Sequence, residues 1–234
     1  MPNNIPQPMA AGGLVKKIIR SKRRTLELQI ASDATLIVRA PFKAPLADIE
    51  RVVREKTPWI VRKQVQVRQR PRPPERQGFI DGEKFLYLGE PYALRVVSGL
   101  HVPLDFDGKE FLLRDVYRSV ARNRFAEWYK QKAFNVISQR VNYYAGGADL
   151  KFGKIMITDA NSRWGSCGPK GTLNFSWRLI MAPMEVVDYV VVHELMHLTE
   201  RNHSRKFWRE VEAVFPGYKQ VHRWLRTNHH LLVF

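Results

Sequence analysis

The most legible chemistry in this chain is carried by His193-Glu194-Leu195-Met196-His197, with a third histidine, His203, six positions beyond. On an α-helix, residues four apart lie about 40° apart around the axis and about 6 Å apart along it, so His193 and His197 can close on one metal ion. Glu194 stands beside the first of them, where its carboxylate reaches a water on that metal rather than the metal itself. A water acidified by Zn²⁺ and relieved of its proton by Glu194 attacks a polarised carbonyl, which is hydrolytic chemistry. His203 adds a third protein ligand and leaves a fourth position open for water. Three ligands with an open position point to catalysis, whereas a closed set of four points to structure, so the expected cofactor is one catalytic Zn²⁺ per chain. His101, His222, His229 and His230 stand outside this pattern and read as structural or surface histidines.

The element that must hold the first two histidines is a helix starting near Pro183, a residue suited to a first helical turn, with Glu185 at its positive end. Val186, Val187, Tyr189 to Val192, Leu195, Met196 and Leu198 make it apolar nearly all round, the mark of a buried helix. Polar groups inside such a sheath must be satisfied, and a metal satisfies them. If the helix ran on, His203 would lie about 9 Å further along the axis. The chain must therefore turn, with Asn202 expected to take the left-handed conformation and Ser204 to cap the next helix. That helix shows Phe207, Trp208, Val211, Val214 and Phe215 at helical spacing and stops at Pro216-Gly217.

Upstream, Thr172 to Leu179 alternates polar and apolar residues, as a half-buried strand does, behind a turn at Gly168-Pro169-Lys170-Gly171. An earlier strand is expected over Lys154 to Thr158, with Arg163 to Cys167 in or beside the connection. Gly165 would allow close backbone approach, Arg163 could meet a substrate carboxylate or phosphate, and a strand here could pair with an extended substrate. Trp164 and Cys167 read either as core plugs behind the helix or, for Cys167, as a further metal ligand.

The combination of Arg163-Trp164-Gly165-Ser166-Cys167, Leu173-Asn174-Phe175, His193-Glu194-Leu195-Met196-His197 and Asn202-His203-Ser204 with Phe207-Trp208 resembles the YgjP-like metallopeptidase family, and more distantly the SprT-like proteases. The likeness is strong over about residues 155 to 225. It implies a zincin fold, zinc held by His193, His197 and His203, and Glu194 as the catalytic base. The candidate substrate-binding residues are Arg163, Gly165, Asn174, Tyr218 and His222, with Arg163, Tyr218 and His222 also candidates for a second oxyanion donor.

The chain has 234 residues, 44% of them hydrophobic, enough for one substantial core with a smaller appended layer. It has no run of 18 apolar residues, its opening Met1-Pro2-Asn3-Asn4 does not read as a secretory signal, and its single cysteine cannot form an internal disulfide. A cytoplasmic protein without membrane association is expected. The net charge is +17, and residues 1 to 78 carry 17 Lys and Arg against 6 Asp and Glu. Such an excess fits either a solvated basic face or a surface for nucleic acid or nucleotide phosphate.

Along the chain, residues 1–13 read as disordered. A β-rich portion with helices follows over 14–113: a hairpin from Leu14 to Ile30 and Thr35 to Ala40, a helix bearing Ile49, Val52 and Val53, a second helix from Thr57-Pro58 to about Arg70, a stiff linker at 71–74, and short strands from Phe79 to Leu113. Residues 114–234 then form the metallopeptidase-like domain, opening with a long helix from Asp115 to about Ala145. The expected class is α+β, with an N-terminal β-rich portion and a C-terminal zincin-like domain. The expected function is zinc-dependent peptide or protein hydrolysis. A metal-dependent nucleotide phosphohydrolase and a nucleic-acid-binding protein with structural zinc are the alternatives.

Overall fold

The computed structural model describes residues 15–31, 33–69 and 78–232; the expected N-terminal disorder and the linker at 71–74 lie outside the described residues. The protein is α+β, and it divides into two compact units, Met1–Arg72 and Pro73–Phe234. The division falls in the proline-rich stretch rather than at 113/114. The reason is packing: Phe85, Leu94, Phe111 and Leu113, all before residue 114, bury in the same apolar core as the helix that carries the metal motif.

In the first unit, β1 (Val15–Ser21), β3 (Leu36–Pro41) and β2 (Glu27–Ile30) form a sheet in the order β1-β3-β2. The expected hairpin is there as the antiparallel pair β2–β3, but its first arm is two strands, not one. The run breaks after Ser21, where the Arg23 amide donates back to the Ser21 carbonyl, and β1 crosses to the other side of β3 and runs parallel to it. The Arg20 guanidinium fixes that crossing by donating to the carbonyls of Pro41, Phe42 and Ala44 at 3.2, 3.1 and 2.8 Å. Leu36, Val38 and Ala40 alternate inward from the central strand and bury with Ile49 and Val53 of α1 (Leu46–Glu55) and Ile60 of α2 (Thr57–Arg68).

The second unit opens with a four-stranded sheet ordered β4-β5-β7-β6, from β4 (Lys84–Tyr87), β5 (Glu90–Val97), β6 (Leu104–Phe106) and β7 (Phe111–Arg114). A 3-10 turn over Asp115–Val120 leads into the 27-residue helix α3 (Ala121–Gly147). Its buried stripe of Phe125, Tyr129, Ala133, Ile137 and Val141 recurs every four residues, as a helix buried along one face requires. The Tyr129 hydroxyl, which would otherwise be a buried orphan, donates to the Leu86 carbonyl at 2.7 Å.

A second sheet, ordered β8-β10-β9, comprises β8 (Ile155–Thr158), β10 (Leu173–Ser176) and β9 (Gly165–Cys167); β10 runs parallel to β8 and antiparallel to β9. The strand expected from Thr172 to Leu179 ends at Ser176 and gives way to a 3-10 turn over Trp177–Met181. Trp177, Leu179, Ile180 and Met181 are all buried there, a pattern that a short alternating run does not distinguish from a strand. Trp177 Nε1 donates to Asp159 at 2.8 Å and holds the turn in place. The helix α4 (Met184–Met196) follows, packed on α3.

Two devices fix α4. Arg140 of α3 pairs with Asp188 of α4, with Nη2 to Oδ2 at 2.8 Å. At the start of the helix, the Leu88 and Gly89 amides donate to the carbonyls of Ile180 and Met181 at 2.9 and 3.1 Å. Gly89 has φ +89, and a Cβ there would stand 2.9 Å from Pro183, so the β4–β5 turn can seat the helix entrance only with glycine at this position. Among the described residues, no helix is long and apolar enough to cross a membrane.

Candidate metal centre

Ten residues of α4 are buried, among them only two charged side chains, Asp188 at 7% exposure and Glu194 at 5%. Asp188 is answered by Arg140. Glu194 is not: its Oε2 has no hydrogen-bond partner. His193 lies in the last turn of α4 and His197 at its C-terminal cap.

Beyond His197 the chain reverses and brings His203 back to it, by a different route from the one expected. Asn202 is not left-handed; among the described residues the non-glycine positions with positive φ are Ala34, Phe79, Leu88 and Asp149. The reversal is built from hydrogen bonds. The Asn202 amide donates to Glu200 Oε1 at 3.3 Å, and the Ser204 amide donates to the Asn202 carbonyl at 2.8 Å. Ser204 then caps α5 (Arg205–Val214), its hydroxyl accepting from the Phe207 amide at 3.3 Å.

The elbow is tied to the neighbouring sheet by Arg201. Its guanidinium donates to the carbonyls of Gly168 and Pro169, both at 3.0 Å. A local rule gives no warning of such a contact, because Arg201 and Gly168 lie 33 residues apart in the chain.

One ligand-type atom from each of His193, His197 and His203 lies within 4.8 Å of the others. The Nε2 atoms of His193 and His203 are 2.9 Å apart. Nitrogens bound to one tetrahedral Zn²⁺ at about 2.0–2.1 Å would stand about 3.3 Å apart, so the cluster has the size of a metal cage. His197 Nδ1 donates to the Glu200 carbonyl at 3.0 Å, a bond that fixes the ring and reserves Nε2 for ligation. Burial, with smaller effects from the neighbouring histidines, pushes His193 down to about 3, and burial also lowers His203. Neutral imidazoles are the form that binds a cation. These donors fit a divalent metal.

Burial pushes the Glu194 carboxyl up to about 8, opposed by the positive charge of Arg163. Gly165 of β9 faces Glu194. A Cβ at position 165 would stand 2.5 Å from Glu194 Oε1 and 2.6 Å from its Cγ. The close approach expected at Gly165 is thus made to the glutamate.

Of the other candidates, Arg163 is exposed. Asn174 directs its amide at Ser166, 3.2 Å from the carbonyl, and so braces β9 against β10. Tyr218 opens α6 (Tyr218–Asn228) and is buried, stacked on Trp208 with ring centres 5.2 Å apart. His222 stacks on Tyr189 at 5.8 Å and on Trp208 at 6.0 Å. Trp208 itself stacks on His203 at 5.7 Å, a wall for the cluster that its helical apolar spacing had marked only as core. Trp164 and Cys167 pack against the main core, and the Cys167 thiol, raised chiefly by burial, lies outside the histidine cluster.

Two solved structures are similar over part of the chain. The metallopeptidase zymogen abylysin of Pyrococcus abyssi is 25% identical over 38% of this chain and 92% of its own, with a TM-score of 0.36. The metallopeptidase zymogen jannalysin of Methanocaldococcus jannaschii is 20% identical over 40% of this chain and 96% of its own, with a TM-score of 0.37. A search of curated proteins found no match. A protein-family model described as "YgjP-like, metallopeptidase domain" matches residues 24–228, nearly the whole chain. The chain therefore belongs to the YgjP-like metallopeptidase family.

Proposed function

We propose that the protein is a zinc-dependent peptidase in which His193, His197 and His203 hold the metal and Glu194 is the general base. The observation that carries this reading is the meeting of three imidazole nitrogens within 4.8 Å with a buried glutamate, next in sequence to one of them, whose Oε2 has no partner. Bound there, zinc would act as a Lewis acid that brings the pKa of a water to about 7 and polarises a carbonyl.

Glu194 takes the proton of the attacking water and later delivers it to the leaving amine. Gly165 keeps the space that the carboxylate occupies, and Arg163 favours its charged form. The outer edge of β9, an edge strand packed on α4, offers backbone groups for pairing with an extended peptide. Arg163, Tyr218 and His222 remain the side chains proposed to contact substrate.

A substrate panel of internally quenched peptides and nucleoside triphosphates tests the reading, run with the wild type and Glu194→Gln. Peptide cleavage by the wild type, lost by about 10³-fold or more in the variant, is the expected result. Triphosphate hydrolysis without peptide cleavage would replace the peptidase with a phosphohydrolase at the same centre.

A further inference from the structure

Beside the histidine cluster, an open cleft of about 590 Å³ is lined by Arg205, Trp208, Arg209, Glu212, Tyr218 and Lys219. It adjoins the cluster through one ring. Trp208 stacks on His203, with centroids 5.7 Å apart and 23° between planes, and also on Tyr218, at 5.2 Å and 11°. The cleft thus has an aromatic wall that begins at the third candidate ligand.

Its charge is unbalanced. Three cations face one carboxylate, and that carboxylate, Glu212, is engaged by Lys219 at 3.3 Å with both side chains more than half exposed. Such a pair is worth little and exchanges readily. Arg205 and Arg209, four apart on α5 and hence on one face, have no ion-pair partner among the described residues. On the same helix, Lys206 does have one, Glu210 at 3.8 Å. Two guanidinium groups from one face of α5, lining a cleft together with Trp208 and Tyr218, match a carboxylate, which they can grip in paired hydrogen bonds while the rings flank its aliphatic stem.

We propose that this cleft is a specificity subsite that takes a carboxylate of the peptide substrate. An extended peptide advances about 3.3–3.6 Å per residue, and the cleft begins one ring away from His203. The carboxylate therefore belongs to an Asp or Glu side chain, or a chain terminus, within about three residues of the bond cleaved. This rests on the peptidase reading above and names the substrate class of that site.

The test is kcat/KM on matched peptides, with Glu or Gln at each of the three positions on either side of the scissile bond and with a free or an amidated C-terminus. The wild type should prefer one acidic position, or the free terminus, by about tenfold, an effect that shrinks with added salt. The preference ratio should fall to about one in Arg205→Gln/Arg209→Gln, persist in part in Arg205→Lys/Arg209→Lys, and invert towards a Lys-containing peptide in Arg209→Glu. An inverted preference is readable only in a folded, active variant. Cleavage of all peptides without charge preference, or a preference indifferent to these substitutions, overturns the subsite alone. Cleavage of no peptide by the wild type overturns the peptidase reading and the subsite with it.

Discussion

Glu194 is the residue on which structure and chemistry pull against each other. It sits 5% exposed in an apolar helix with one oxygen unpartnered, which raises its carboxyl to about 8. In the metal-free protein a folded-state value above the ordinary carboxylate range means that the folded form retains a proton the unfolded chain gives up. Folding stability is then greatest below about pH 4.3 as far as this group is concerned, and is lost progressively as pH rises to about 8. Glu194→Gln removes that loss. The metal-free variant should be more stable than metal-free wild type by on the order of 3 kcal/mol at pH 7, with the difference vanishing near pH 4; paired denaturant melts at the two pH values check this. His193, lowered to about 3, behaves oppositely and weakens the metal-free fold as pH falls below about 6.5, but it does so equally in both proteins. The space around Glu194 is set by Gly165. Because a Cβ there would stand 2.5 Å from Oε1, Gly165→Ala should displace the carboxylate and lower kcat/KM by about 100-fold while bound metal is retained. Parallel kinetics and metal analysis measure both. The sequence disclosed the histidines and Glu194 because their spacing is local, and it marked Gly165 as a point of close approach. That the partner in this approach is Glu194 depends on β9 meeting α4 across 29 residues of chain, which no local pattern encodes.

Helix α4 is the element that must not move, and it is pinned by Arg140–Asp188 and by the seat of Gly89 against Pro183. Asp188 is 7% exposed, so deleting Arg140 strands a carboxylate in the core. Arg140→Met alone should cost about 3 kcal/mol and Asp188→Leu less, because the Arg140 side chain left behind is 29% exposed and reaches water, whereas the double variant should recover much of the Arg140→Met loss, because the buried carboxylate is then gone too. A double-mutant cycle in urea reads the coupling. The length and polarity of α4, α5 and most strands were legible from apolar period and from Pro183, Ser204 and Pro216-Gly217. Two elements were not. The run before Ile30 hides a strand break, because the parallel pairing of β1 with β3 is a long-range choice fixed by Arg20. The run after Ser176 continues to alternate in hydrophobicity although its backbone has become a 3-10 turn. The elbow showed its cap, Ser204, but not its left-handed residue, because side-chain bonds from Glu200 and Arg201 do that work instead.

At the scale of the whole molecule, the sheet of residues 84–114 shares the core of α4, so the chain divides at its proline-rich stretch and not at the start of the long helix. Proline marked the place, but which side of it a strand packs on is decided by burial, and Phe85 and Phe111 have no period that reveals their partners. The charge of +17 was legible at once and is carried by the first 78 residues more than by the rest, while the cations that the peptidase reading uses are the few at Arg163, Arg205 and Arg209. The claim on which everything else depends is the division of labour between three ligands and one base. It is tested most directly by zinc content per chain, measured after exhaustive dialysis, in the wild type, His203→Ala and Glu194→Gln. One zinc per chain is expected in the wild type and in Glu194→Gln, and none in His203→Ala. Stoichiometric, dialysis-resistant zinc in His203→Ala, or its loss from Glu194→Gln, would contradict that division of labour.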